Sequence, residues 1–259
     1  MLTTRLLSKE YRLPTVSFRA VAEDGVLLVG SRVGLDGPSL VLCHGFLGWH
    51  RKPKMVGFVE RMAQRFVVYA FDFRGHGASH GSSTYGDLEY LDVDAVVQLA
   101  RQERGRPVVT VGISMGGIAV LRHAAYRRRV DGVVAVSTPA RWDGQPSRSM
   151  RRIRRLTSTR RGRGMARLAG YRLANSWIEP EHPEDVVGRI APIPLLLVHG
   201  VDDHFFAVED AHRLYLRAGE PKRLMLSSRF GHAEDGLDQA FADRVTRRIH
   251  DALGMNPAT

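Results

Sequence analysis

The chain has 259 residues, 44% of them hydrophobic and 25% charged, a composition that fits a globular protein large enough for one α/β domain with an insertion. The single cysteine, Cys43, rules out an internal disulfide; no apolar run is long enough to span a bilayer, the N-terminus lacks a leader-like apolar stretch, and the expected location is the cytoplasm. The net charge of +11 is concentrated: eleven arginines between 141 and 172 face one acid, Asp143, so the rest of the chain is close to neutral.

In chain order, the pattern predicts an opening hairpin over 15–20 and 26–30, turning at Glu23-Asp24-Gly25. A short buried strand follows at 39–43. Apolar spacing at Met55, Val59, Met62 and Ala63 predicts a helix over 55–65. The run 66–71 reads as a buried strand ending at Asp72, 86–101 as a helix, and 107–113 as a strand. Ile118, Ala119, Leu121, Ala125 and Tyr126 then fall at helical spacing over 115–127. After a strand at 130–137 the alternation stops. Residues 139–192 carry no strand signal, and the arginines fall here. Trp142, Ile153, Leu156, Met165, Leu168, Tyr171, Leu173, Trp177 and Ile178 give that stretch an apolar side. Alternation resumes with a strand at 193–198, a helix at 208–217, a strand at 223–227 and a last helix over 237–253. Strands alternating with helices predict a mostly parallel sheet covered on both faces. No repeats and no metal-ligand spacing are present.

The strand at 107–113 runs straight into Gly112-Ile113-Ser114-Met115-Gly116 and then into a helix. A serine on so sharp a turn needs small flanking residues, because strand and helix backbones come too close for side chains. Gly112 and Gly116 meet that need, and the turn lifts the hydroxyl out of the sheet beside the Met115 N–H and the helix N-terminus. The other apolar runs also end in polar motifs: Cys43-His44-Gly45-Phe46-Leu47-Gly48, Asp72-Phe73-Arg74-Gly75-His76-Gly77-Ala78-Ser79, His199-Gly200-Val201-Asp202-Asp203 and Ser228-Arg229-Phe230-Gly231-His232. Parallel sheets place working residues at these carboxyl ends.

In this order the five motifs resemble those of serine hydrolases of the α/β-hydrolase superfamily, over residues 40–253 apart from the arginine-rich insertion. The resemblance is to carboxylesterases, lysophospholipases and monoacylglycerol lipases without singling one out. It implies an α/β-hydrolase fold, with a core at 1–138 and 193–259 and a small cap at 139–192. It implies Ser114 as nucleophile, His232 as base and Asp203 as the acid that orients the imidazole, with Asp202 as the competing carboxylate one residue earlier. It further implies an oxyanion hole from the N–H groups of Phe46 and Met115, and no metal or organic cofactor. The serine at the elbow argues against relatives that use an aspartate there, such as haloalkane dehalogenases and epoxide hydrolases.

The expected activity is hydrolysis of a carboxylic ester, lipid-derived esters included, through an acyl-serine intermediate. Thioesterases, serine peptidases and carbon–carbon bond hydrolases share the machinery, and a catalytically idle ligand-binding relative is the alternative from another class. The remaining motif residues have structural readings: His44, His76 and Asp72 as loop scaffolding, Cys43 as a core residue, His204 as solvated or at the site mouth. Phe205 and Phe206 fit either an acyl pocket or packing under the cap. The arginine surplus is open to three readings: a solvated outer face, contact with an anionic membrane, or recognition of an anionic substrate or carrier. No nucleic-acid-binding motif accompanies it.

Overall fold

A computed structural model describes residues 7–142, 146–175, 180–228 and 230–254 of the chain. The sequence's Asp143, Trp177, Ile178 and Arg229 lie outside the described residues, as does the side chain of Leu156. Eight strands form one sheet in the order β1-β2-β4-β3-β5-β6-β7-β8. They are β1 Thr15–Val21, β2 Leu27–Val33, β3 Ser39–Cys43, β4 Val67–Asp72, β5 Val108–Ile113, β6 Gly132–Val136, β7 Leu195–Gly200 and β8 Lys222–Ser227. β1 and β2 form the expected hairpin, and β2 pairs antiparallel with β4. Every pairing from β4 through β8 is parallel. This is the mostly parallel, two-sided sheet that the alternation of elements requires.

Strand side chains alternate between two cores. Val41, Tyr69, Phe71, Val133 and Leu197 face one layer, built on helices α2 (Glu89–Arg104), α3 (Met115–Arg127) and α7 (Val208–Arg217). Leu40, Leu42, Val68, Val111, Val134 and Val198 face the other, built on α1 (Pro53–Met62) and α8 (Gln239–Ala252). β3 to β7 are buried at every position, so these strands read as unbroken apolar runs rather than as alternation with polar residues. Each fully buried Val, Leu or Phe stabilises the fold by roughly 1.5–3 kcal/mol.

Element ends follow local chemistry. α1 begins with Pro53 at its first turn, where the missing N–H costs nothing. α2 starts at Glu89, three residues later than the periodicity alone predicts. Tyr85 and Gly86 both have positive φ (61° and 101°), and the Glu89 carboxylate accepts hydrogen bonds from the N–H groups of Thr84 and Gly86. α8 starts at Gln239 because Asp238 caps it, accepting from the Phe241 N–H at 2.7 Å.

Between β6 and β7 the chain forms α4 (Arg148–Ser158), capped by Ser147, and α5 (Arg160–Leu168), capped by Thr159. A short helix α6 (Pro183–Val186) and a 3₁₀ turn (Val187–Ile190) follow. Val186, Val187 and Ile190 belong to the same core layer as α3, so the end of the 139–192 stretch packs on the sheet domain. Among the described residues no helix is long and apolar enough to cross a membrane.

Candidate active site

Ser114 sits between β5 and α3 with φ 54° and ψ −113°, a conformation disfavoured for any residue with a Cβ. The crowding that enforces it is visible at both glycines. A Cβ on Gly112 would lie 2.2 Å from the Gly116 carbonyl oxygen, and one on Gly116 would lie 2.3 Å from that of Cys43. Neither position tolerates a side chain without moving backbone.

The Ser114 hydroxyl lies 3.1 Å from His232 Nε2. His232 follows β8, and its segment is held over the end of the sheet by the Ala233 N–H, which donates to Ser137 Oγ at 3.1 Å. His232 Nδ1 lies 2.8 Å and 3.0 Å from the two carboxylate oxygens of Asp203. An ionised carboxylate only accepts, so Nδ1 carries the proton and Nε2 presents its lone pair to the serine hydroxyl. The Asp203 side chain is fully buried. Burial pushes its pKa up, but the His232 contact and the N–H groups of Phe206 and Phe205 hold it below the ordinary value. Asp202 is exposed. Of the two aspartates, the structure brings only Asp203 to the imidazole.

The loop after β3 closes the other side. A Cβ on Gly45 would lie 3.4 Å from Ser114 Cβ, which places the 45–46 peptide against the serine. Neither the Phe46 N–H nor the Met115 N–H has a hydrogen-bond partner among the described residues. Leu47, next in the loop, has φ 57° and is held through both its N–H and its carbonyl. Its N–H donates to His76 Nε2 at 3.3 Å, and its carbonyl accepts from the Tyr171 hydroxyl at 2.8 Å. His76 Nδ1 faces the Arg74 carbonyl at 3.0 Å, so that nitrogen carries the proton and Nε2 is free to accept. The His76 ring stacks edge-on against Phe46 and Tyr171.

His44 and Asp72 act as scaffolding. His44 Nδ1 donates to the Gly45 carbonyl and Nε2 accepts from the Phe73 N–H. Asp72 accepts from the N–H groups of His50 and Ala78 and from His50 Nδ1; against burial, the His50 contact above all, then His44 and the Ala78 N–H, hold its carboxyl down at about 2. Burial, reinforced by the neighbouring His76, pushes the His44 pKa down to about 3. A histidine in the unfolded chain protonates near 6.5. The unfolded state therefore binds more protons than the folded state between about 6.5 and about 3, and stability falls as pH falls through that window. From His44 alone the slope approaches about 1.4 kcal/mol per pH unit. Urea midpoints taken from neutral pH downward are expected to fall, and His44→Gln, less stable at neutral pH, should show the shallower decline. Equal slopes for both proteins would show that His44 is not the group responsible.

These groups border a cavity of about 240 Å³. Gly45, Phe46, Ser114 and His232 line it, and the Phe205 ring lies 4.3 Å from that of His232. Phe205 therefore borders the cavity, and Phe206, 5.4 Å from the imidazole, packs beside it. His204 stands at the edge of the cavity, and Lys52 pairs with Glu234 there at 2.8 Å. A recess of about 290 Å³ between α1 and α8, lined by Arg61, Arg65 and Arg247 among others, contains none of these groups. Among the described residues no cluster of side chains has the makings of a metal site.

Tyr171, Lys52 and Glu234 had no signal in the sequence. Tyr171 counted only as one of several apolar residues in the insertion, and its partner lies 124 positions away.

Residues 40–253 match the model of the alpha/beta hydrolase family. The chain is 27% identical over 256 residues to the serine hydrolase BPHL of Mus musculus, covering 92% of this chain and 87% of that protein. It is 28% identical over 184 residues to YfhR of Escherichia coli O157:H7, an uncharacterized protein; the match covers 70% of this chain and 56% of YfhR, so the chain spans little more than half of that relative. Among solved structures, the Pyrococcus furiosus esterase Pf2001 superposes with a TM-score of 0.74 at 21% identity, over 97% of this chain and 95% of that one. That likeness is one of fold.

Proposed function

The chain belongs to the alpha/beta hydrolase family, and within it we propose that this protein is a serine hydrolase cleaving a carboxylic ester through an acyl-serine intermediate. The observation that carries the reading is the continuous relay from Ser114 to His232 Nε2 (3.1 Å) and from His232 Nδ1 to Asp203 (2.8 Å), with the serine held at a strained elbow.

In the proposed mechanism Ser114 Oγ attacks the ester carbonyl carbon while His232 Nε2 takes the hydroxyl proton. Asp203, ionised and buried, keeps the imidazole in the receiving tautomer and stabilises the imidazolium. The unpartnered N–H groups of Phe46 and Met115 receive the oxyanion, each worth roughly 2.7–4 kcal/mol in the transition state. His232 then returns its proton to the leaving alkoxide. Water, activated by the same imidazole, hydrolyses the acyl-serine and restores the hydroxyl. The acyl group would sit against Phe205 in the cavity beside Ser114. The described part of the cap, with Tyr171 reaching the Leu47 carbonyl, would cover the site as a lid.

A fluorophosphonate reagent tests the reading, because it is attacked only by an activated serine. Covalent labelling of the wild-type protein, and none of Ser114→Ala, is the expected result. A folded wild type that resists labelling would overturn it. A panel of aryl esters and acyl thioesters of graded chain length then separates esterase from thioesterase.

Tyr171 is a positioning residue in this scheme: it holds Leu47, whose neighbour Phe46 supplies an oxyanion donor. Tyr171→Phe removes one hydrogen bond, worth about 1 kcal/mol, and leaves the ring against His76. The expected outcome is a fall of about fivefold in kcat with KM little changed. A rise in KM at constant kcat would assign Tyr171 to ground-state binding instead.

A further inference from the structure

A helix on a protein surface normally turns its bulky apolar residues inward and its charges outward. α5 does the reverse. Its buried positions are Gly162 and Ala166, while Leu168 is 82% exposed and Met165 66% exposed. Arg161, Met165 and Leu168 follow one another at i, i+4 and i+7, so they form a single outward stripe, flanked by exposed Arg160 and Arg167. α4 adds five arginines on its own outer side, with Met150 and Ile153 turned partly inward.

The charge on this face is unusual in a second way. Arginines elsewhere are mostly paired, as in Arg32–Glu103, Arg74–Asp92 and Arg101–Asp131. None of the nine arginines from 148 to 167 makes an ion pair among the described residues, and residues 146–175 contain no aspartate or glutamate. Nine like charges on two adjacent short helices repel one another, and no acidic side chain among the described residues pairs with them.

We propose that the outer face of α4 and α5 docks on an anionic phospholipid surface. The headgroup layer offers the two things this face lacks: phosphates at the depth of the guanidinium groups, and the start of the acyl region for Leu168 and Met165. An acidic protein would satisfy the charge. The outward Met165 and Leu168, on the same short helix as exposed Arg160, Arg161 and Arg167, fit the lipid boundary, where apolar and anionic chemistry lie within a few ångströms of each other. The proposal goes beyond the hydrolase reading and does not depend on it.

Sedimentation with vesicles tests it, using the Ser114→Ala protein so that no turnover is involved and a failure of the catalytic reading leaves the result untouched. The protein is expected to bind vesicles of phosphatidylcholine mixed with phosphatidylglycerol, not phosphatidylcholine alone, and to be released by salt. Each arginine changed to glutamine among Arg160, Arg161 and Arg167 should weaken binding by about fivefold. Leu168→Ser should weaken it by about tenfold. Leu35→Ser, at a residue 75% exposed in the turn after β2, should leave it unchanged. The proposal is overturned if mixed vesicles fail to bind at low salt, if Leu35→Ser weakens binding as much as Leu168→Ser, or if an acidic soluble protein binds this face while vesicles do not.

Discussion

Alanine at position 114 is expected to leave a folded protein whose kcat is lower by on the order of 10⁶-fold. Folding should survive because the Ser114 hydroxyl has one partner among the described residues, His232 Nε2, and the strain at φ 54° comes from the backbone, which alanine shares. Loss of the oxygen removes the hydroxyl that faces the lone-pair nitrogen of His232 at 3.1 Å. What survives would come from the Phe46 and Met115 donors and from substrate binding, which support some rate above that of water without any nucleophile. The check is steady-state hydrolysis of an activated aryl ester, with circular dichroism to confirm the fold. A variant retaining a tenth of wild-type kcat would place the nucleophile elsewhere and undo the mechanism.

Replacing each of the two neighbouring carboxylates by its amide separates their roles. Asp203→Asn is expected to lower kcat by about 10⁴-fold, and Asp202→Asn to change it little. The size of the first effect follows from the hydrogen bonds at this carboxylate. Oδ1 accepts from the N–H groups of Phe205 and Phe206, so an asparagine would place its carbonyl oxygen there. Its NH₂ group would then occupy the Oδ2 position, 2.8 Å from His232 Nδ1. Two donors cannot face each other, so the imidazole would move its proton to Nε2 and turn an N–H toward Ser114. The base would then be unable to accept. Asp202 is exposed and makes no such contact among the described residues. The measurement is kcat for both variants on one ester at one pH. Comparable losses, or a larger loss from Asp202→Asn, would contradict the assignment.

Much of the site could be read before any coordinates, for reasons visible at individual residues. Gly112 is required by a close contact with the Gly116 backbone four residues on, and such short-range crowding leaves its mark in the sequence, whereas Gly116 is required by the Cys43 carbonyl that the sheet brings against it. The strands were legible because the sheet is buried on both faces, which forces runs such as Val67–Asp72 to be almost wholly apolar. Helix starts were less legible. The periodicity around 86–101 says nothing of the Glu89 carboxylate, whose bonds to Thr84 and Gly86 hold the preceding turn out of the helix. Leu168 shows the same limit from the other side. In the sequence it counted toward the apolar side of the insertion, and only the packing of Gly162 and Ala166 turns it outward.

By itself, the sequence determined the order of strands and helices, the sharp turn that carries Ser114, and the five polar motifs at the ends of buried runs. Those features arise from interactions between near neighbours, where spacing and residue size leave little choice. The folded chain alone decided that Tyr171 and His76 grip Leu47, and that Lys52 and Glu234 stand at the cavity edge; it also brings Asp203, the aspartate that the motif favoured over Asp202, to the imidazole. Each depends on the direction in which a side chain leaves an irregular loop, and on a partner brought close by the sheet from far along the chain; no periodicity in the sequence records either.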